Sequence, residues 1–273
     1  MNDIEFLMSE TQSIFNMLDA DEYPEAHNYL AHILSEDDEI EESPYEIASV
    51  LINCDKPQDF PDFLITYITE LLEMDIAKGN DIAMNDLGAL YYDGKRGFEQ
   101  SFEKAVHYYE MAASKGNLLS QENLGYCWYY GRTGKKDYQK AFQYFAMGAF
   151  CGSLPSLYKI GDMYLNGYYV PKDDHEAFNV YMHCLDMMTD EAAPQVAGPI
   201  YLRLGKMFLN GLGTEQKLKT ALVCYQKAEA FLYDMIENGD YMFKKSWQAA
   251  IDGQAKARTA LTTALSDKEW EFD

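Results

Sequence analysis

Small and apolar residues recur along this chain at a spacing close to the length of a helical hairpin. A Leu or Ile followed by Gly occurs four times, with Gly-to-Gly steps of 37, 36 and 44 residues. An aromatic residue follows each Gly by three positions, and a second Gly follows it by six. A fixed period of this length indicates a stack of repeated supersecondary units. The four pairs are Leu87-Gly88, Leu124-Gly125, Ile160-Gly161 and Leu204-Gly205.

The second half of each unit carries its own stripe of small and aromatic residues. An Ala lies ten or eleven residues beyond the second Gly, an aromatic residue follows it by four positions, and a small residue follows it by seven. In the first unit these are Ala105, Tyr109 and Ala112. Because residues three and four apart share a face of a helix, each half of the unit predicts one helix.

The two glycines of a unit predict different local structures. The first lies inside a helix, where Gly costs about 1 kcal/mol relative to Ala. We therefore expect a second helix to cross there, at a point that a side chain would block. The second Gly, for example Gly94, predicts a left-handed end to the first helix. Asp137 and Asp173 precede two of the second helices and are predicted to cap them.

The pattern extends toward both ends of the chain. Gly79 lies nine residues before Gly88 and indicates a preceding, degraded unit, whose first helix is predicted at Tyr45–Asn53. Further predicted features are helices at 7–18 and 23–34, an insertion with Pro194 at 189–197, a closing helix pair at 240–250 and 254–265, and a loose tail at 267–273. The predicted regions are an acidic helical region at 1–42, the degraded unit at 43–79, repeats at 80–116, 117–152, 153–196 and 197–238, and capping helices with the tail at 239–273.

The four repeats resemble the Sel-one-like repeat (SLR) family, a relative of the tetratricopeptide repeats. The resemblance covers roughly residues 80–232 and rests on segments such as NDLGALYYDGKRGFEQSFEKAVHYYEMAASKGN. It implies an all-α fold, a right-handed superhelix (α-solenoid) of helix–turn–helix repeats of about 36 residues. Because members of this family are mostly scaffolds and adaptors, it also implies a non-enzymatic module for protein–protein interaction.

The resemblance further implies a set of binding positions. In tetratricopeptide repeats, residues at fixed offsets from the Leu-Gly pair line a concave groove, and here those offsets give a Tyr-rich, mildly acidic surface. Tyr offers a large contact area with few rotatable bonds, which suits protein recognition. In the alternative interpretation, half of these tyrosines only pack against the neighbouring first helix. The predicted groove residues are Asn85, Tyr92, Asp93, Glu122, Tyr126, Tyr129, Tyr130, Tyr158, Asp162, Asn166 and Lys206.

Charge adds a second hypothesis. The formal net charge is −23, and residues 1–78 hold 20 Asp and Glu against 2 Lys, a net of −18. Such a field repels nucleic acid and anionic membranes and favours a basic partner. The alternative function is therefore an acidic inhibitor or immunity protein that docks on a basic partner such as a nuclease toxin. The charge can equally serve solubility alone.

The sequence lacks the motifs that carry chemistry. It contains no HExxH, GxxxxGK[ST], GxSxG or GxGxxG, and its five Cys are scattered without a CxxC pair. The cluster Asp173–Glu176 fits the start of a helix, where acidic residues cap and favour the dipole. We expect no enzyme activity, no metal and no cofactor. The expected partner is a protein or peptide, and neither nucleic acid nor membrane is expected to bind. The chain is expected to be cytoplasmic, since its start has no basic signal-peptide region. We expect it to be a monomer or weak dimer.

Overall fold

The computed structural model of the protein describes residues 13, 14, 16, 17, 44–53, 59–189 and 193–266, with the backbone alone at 193–195. Four positions between 13 and 17 are helical. The rest of the helix predicted at 7–18, the helix predicted at 23–34 and the tail predicted at 267–273 lie outside the described residues. The boundaries given above for the repeats stay predictions.

Eleven α-helices and one short 3-10 turn are found among the described residues, which contain no strand. The chain divides into two compact units, residues 1–136 and 137–273. The helices of the first unit are α1 (Pro44–Ile52), α2 (Asp62–Lys78), α3 (Asp81–Asp93), α4 (Phe102–Ser114) and α5 (Leu118–Tyr130). Those of the second are α6 (Tyr138–Phe150), α7 (Leu154–Asn166), α8 (Asp174–Met187), α9 (Ala193–Asn210), α10 (Leu218–Glu237) and α11 (Lys244–Ser266), with the 3-10 turn at Tyr241–Phe243. The predicted all-α fold of helix–turn–helix repeats is confirmed.

The helices of a repeat cross where the sequence predicted that they would. A Cβ placed on Gly88 of α3 would lie 2.7 Å from Cδ1 of Tyr109 on α4. A Cβ on Gly161 of α7 would lie 2.6 Å from Cε1 of Tyr181 on α8. Real Cβ atoms do not approach a ring this closely, so the aromatic residue of the second helix rests on the bare backbone of the first. The recurring Gly of the first helix and the recurring aromatic residue of the second helix therefore form the same packing contact.

Each unit buries its own hydrophobic core. In the first unit the core includes Leu64 and Ile68 of α2 and Leu87 of α3. In the second unit it includes Tyr181 of α8 and Ile200 of α9. Each fully buried Leu or Ile contributes about 1.5–3 kcal/mol. These cores therefore fix the helix ends that carry the candidate site.

The helix ends follow the predicted capping chemistry. Gly94 ends α3 with φ of 62°, in the left-handed region, and its N–H donates to the Leu90 carbonyl. Asp137 accepts a hydrogen bond from the backbone N–H of Lys140 at 3.0 Å. Asp173 accepts from the N–H groups of His175 at 2.9 Å and Glu176 at 3.0 Å. Both predicted acidic caps are confirmed.

We expect Asp173→Ala to lower the free energy of unfolding by about 1–2 kcal/mol, because it leaves two backbone N–H groups of α8 without their acceptor. Urea denaturation followed by circular dichroism measures this loss. Asp173→Asn is the matched control, since Asn caps a helix about as well as Asp. A loss as large in the Asn variant would assign the effect to the lost charge instead.

The first turn of α8 contacts the loop between α9 and α10. A Cβ on Gly213, which has φ of +65°, would lie 1.9 Å from the backbone oxygen of Asp174. The ring nitrogen Nδ1 of His175 lies 3.1 Å from the Gly213 carbonyl oxygen. The two backbones therefore touch at a point that excludes any side chain.

The carboxyl-terminal region differs from the sequence prediction. The closing helix pair predicted at 240–250 and 254–265 is wrong, because α11 runs unbroken from Lys244 to Ser266. The predicted gap contains Gly253, which lies inside α11 and faces α10. A Cβ there would lie 2.3 Å from Cε1 of Tyr225. Gly253 is a packing contact and not a helix break.

Part of the insertion predicted at the end of the third repeat lengthens the helix that follows it. Of the insertion predicted at 189–197, the residues from Ala193 onward form the start of α9, which has 18 residues where α7 has 13.

No helix among the described residues is both long and apolar enough to cross a membrane.

Candidate functional site

Four tyrosines form a partly exposed cluster in the first unit, at the ends of α3 and α5. Tyr126 and Tyr130 of α5 stack with their ring centroids 6.2 Å apart, and Tyr129 meets Tyr130 edge-on at 5.0 Å. Tyr92 of α3 is half-buried, and Tyr130 is 45% exposed. We call Tyr92, Tyr126, Tyr129 and Tyr130 the tyrosine surface. All four were among the predicted groove residues.

Arg132 lies among the rings of this surface. Its Nε donates a hydrogen bond to the Tyr92 hydroxyl at 2.9 Å. Its Cζ lies 5.4 Å from the ring centroids of Tyr92 and Phe102 and 5.3 Å from that of Tyr130. Burial raises the pKa of Tyr92 although the Arg132 charge acts in the opposite direction, so this phenol is a neutral acceptor at pH 7.

Local backbone geometry holds Arg132 in this place. Gly131 ends α5 with φ of 68°, in the left-handed region, and the backbone N–H of Arg132 donates to the Cys127 carbonyl at 2.9 Å. This is the hydrogen bond that closes a Schellman helix end. Sequence reasoning missed Arg132 because it lies beyond the helix that carries the groove positions. A basic residue directly after aromatic residues and a helix-ending Gly was the available signal.

Two acidic residues of the predicted groove also lie in the first unit. Asp93 is exposed at the end of α3, and its carboxylate lies 2.7 Å from Nζ of Lys95. Glu122 of α5 is partly exposed. Both acidic residues therefore lie at the surface of the first unit, and their place in a binding groove stays a prediction.

Three predicted groove residues are buried instead. Asn85, 4% exposed, accepts hydrogen bonds from the Ser120 hydroxyl at 2.8 Å and the Asn123 amide at 3.3 Å. Tyr158 and Asp162 of α7 are 8% and 4% exposed. Their side chains join neighbouring helices within their own units, so they cannot line an open surface. The alternative interpretation concerned the tyrosines, and of the five predicted groove tyrosines Tyr158 is the buried one.

Asp162 is the centre of a buried ionic network that we call the Asp162 cluster. Its Oδ1 accepts hydrogen bonds from Nε of Arg203 and from the Tyr181 hydroxyl, the latter at 2.8 Å. Its Oδ2 lies 2.7 Å from Nη2 of Arg203 and 3.3 Å from Nζ of Lys159. Burial alone would raise the pKa of Asp162, but Arg203, Lys159 and Tyr181 together hold the pKa of this carboxyl below its usual value.

The remaining two predicted groove residues are exposed in the second unit. Asn166 ends α7 and donates to the Asp162 backbone oxygen at 2.6 Å. Lys206 of α9 is exposed. The structure thus brings together six of the predicted residues in the first unit, around the tyrosine surface.

The described residues contain no group of three or more His, Cys, Asp and Glu that could hold a metal ion. Cys127, Cys184 and Cys224 are buried. Burial raises the pKa of Cys127 and Cys184 to about 12 and that of Cys224 to about 11, so these thiols are not activated nucleophiles.

The Sel1 repeat family model matches four segments, residues 81–117, 118–152, 154–179 and 201–230. No curated protein matches the chain in sequence. A Sel1 repeat protein from Oxalobacter formigenes is 20% identical over 92% of this chain and 99% of that one, with a TM-score of 0.57. The protein c5321, a protective antigen present in uropathogenic Escherichia coli strains that displays an SLR fold, is 22% identical over 91% of this chain and 52% of that one, with a TM-score of 0.57.

Proposed function

Because this chain belongs to the Sel1 repeat family, whose members generally mediate protein–protein interactions, we propose that it binds a partner protein or peptide through the tyrosine surface. The observation that supports this surface is the clustering of four partly exposed tyrosine rings at the ends of α3 and α5. Binding surfaces concentrate their energy in a few such aromatic residues. The chain then acts as an adaptor without a reaction of its own.

Contacts within the tyrosine surface hold its rings in place before a partner binds, which favours a role in recognition. Tyr129 and Tyr130 already contact one another, and Tyr92 is held by Arg132 at 2.9 Å, so little side-chain entropy is lost when a partner covers them. The phenol groups keep polar tips for hydrogen bonds, which suits a surface that is exposed to water when the partner is absent.

We expect Tyr129→Ala to weaken partner binding at least tenfold, because truncating an aromatic hot-spot residue of an interface costs about 2 kcal/mol or more. Partners are captured from the cytosol of the native cell on the immobilised protein, identified by mass spectrometry, and titrated against each variant. Circular dichroism should be unchanged, since the ring is partly exposed. Tyr233→Ala, at a 46% exposed tyrosine of the second unit, is the matched control. Full affinity in the Tyr129 variant would refute the proposal.

A second candidate function rests on the charge of the amino-terminal region. The 20 Asp and Glu against 2 Lys in residues 1–78 favour a basic partner, such as a nuclease toxin that this chain would inhibit. Affinity in that case falls steeply between low and high salt and is unaffected by Tyr129→Ala. A partner that resists salt and is lost in the tyrosine variant supports the adaptor function instead.

A further inference from the structure

Arg132 is a cation without an acidic partner among the described residues, in a chain that carries 45 Asp and Glu. A guanidinium has five N–H donors. The hydrogen bond that its side chain makes in the described structure is from Nε to the Tyr92 hydroxyl, at 2.9 Å. The donors on Nη1 and Nη2 therefore have no protein acceptor within the described part of the chain, and the side chain is partly exposed to water.

The surrounding rings orient these donors. The ring centroids of Tyr92, Phe102 and Tyr130 lie 5.3–5.4 Å from Cζ of Arg132, and Tyr92 meets Phe102 edge-on at 5.3 Å. Cation–π contact with three rings and one hydrogen bond restrict the rotation of the side chain. A guanidinium held in this way presents its planar fork in a fixed orientation, and this fork matches the two oxygens of a carboxylate.

We propose that Arg132 receives a carboxylate from an acidic segment of a partner protein, whose apolar or aromatic side chains lie against the tyrosine surface. This inference rests on the proposed function of that surface and names the chemistry of its partner. A carboxylate carries one negative charge, whereas a phosphate carries about 1.5 to 2. The carboxylate of Asp93, whose charge acts on the neighbouring Tyr92, repels a phosphate more strongly than a carboxylate, so the structure favours the acidic side chain.

The test uses two synthetic probes and the full chain. One probe is an acetylated and amidated hexapeptide with two glutamates between phenylalanines, and the other has glutamines in their place. Affinities are measured by titration of the protein, with the nitrogen and hydrogen resonances of the Arg132 guanidinium followed by NMR. We expect the acidic peptide to bind about tenfold more tightly than the neutral one and to shift these resonances, because hydrogen bonds to charged groups are among the stronger ones.

Arg132→Gln should reduce this tenfold preference to less than about twofold. Lys135→Gln removes the same charge from an exposed residue of the same loop and should leave the preference intact. Arg132→Lys keeps the charge but loses the fork, and we expect it to fall between the two. If Arg132→Gln does not fold, the comparison of Arg132→Lys with Lys135→Gln tests the proposal instead.

Equal affinity of the two peptides for the wild type, or an equal loss in Arg132→Gln and Lys135→Gln, would overturn the proposal. So would tighter binding of a peptide with phosphoserines in place of the glutamates. The proposed function can be judged separately. If the captured partner is lost in Tyr129→Ala but unaffected by Arg132→Gln, the surface stands and the role of Arg132 does not. If the peptide preference depends on Arg132 while Tyr129→Ala has no effect on the partner, the adaptor proposal is the one that is wrong.

Discussion

Asp162→Ala should lower the free energy of unfolding by about 3–5 kcal/mol at pH 7, the usual cost of removing one partner from a buried ion pair. The substitution leaves Lys159, which is 4% exposed, and the guanidinium of Arg203 without their shared carboxylate. It also leaves the Tyr181 hydroxyl, which is buried, without an acceptor. Urea denaturation monitored by circular dichroism measures the loss.

The effect should depend on pH in a defined direction. The pKa of Asp162 is lowered in the folded protein, so its stabilising contribution is fully present above the pKa of an unfolded Asp, about 3.9. It is lost as the pH falls through the lower folded value. The difference in unfolding free energy between wild type and Asp162→Ala should therefore be constant above about pH 5 and shrink below about pH 4.

Asp93→Ala is the control for this measurement. Asp93 is paired with Lys95 at the surface, and such pairs contribute about 0–1 kcal/mol. A loss in Asp93→Ala that equals the loss in Asp162→Ala would show that removing any carboxylate has the same effect. The buried network would then not be the source of the stability.

Gly253→Ala should destabilise the protein by about 2 kcal/mol, within the range found for overpacked cores. In an open helix the same change would stabilise by about 1 kcal/mol, because Ala is the better helix former. The sign is reversed here, since a Cβ would lie 2.3 Å from Cε1 of Tyr225 and 2.5 Å from Cζ. The same ring already contacts Gly205 of α9, where a Cβ would lie 2.9 Å from Cδ1.

A double-mutant cycle checks this prediction. Tyr225→Ala removes the ring, so Gly253→Ala introduced into that variant should be neutral or stabilising. The coupling between the two sites is expected to exceed about 1 kcal/mol. Additive effects of the two substitutions in thermal unfolding would mean that the ring and the glycine do not oppose one another, contrary to the structure.

Local rules predicted much of the fold. The stops at Gly94 and Gly131, the caps at Asp137 and Asp173, and the crossing at Gly88 depend on residues within one hairpin, where sequence spacing sets geometry. Gly253 was misread because a glycine that breaks a helix and one that admits a ring look alike in sequence. Tyr225, which decides between them, lies on another helix.

The candidate site was predicted less completely for the same reason. Asp162 occupies a groove offset, and only its contact with Arg203, 41 residues further along the chain, makes it an interior residue. Arg132 lies in a loop, where repeat offsets do not apply. The four tyrosines of the tyrosine surface could be predicted because the ends of α3 and α5 keep the regular spacing of the repeat.

The backbone contact between Gly213 and the first turn of α8 limits how this part of the molecule can change in evolution. A residue inserted beside Gly213 would displace the contact between the two backbones, so insertions and deletions at this point of the loop should be selected against. The insertion at the end of the third repeat agrees with this, since its described residues form the start of α9 instead. Among related sequences, variation in repeat length should accumulate ahead of α9, while the Gly213 loop keeps a constant number of residues.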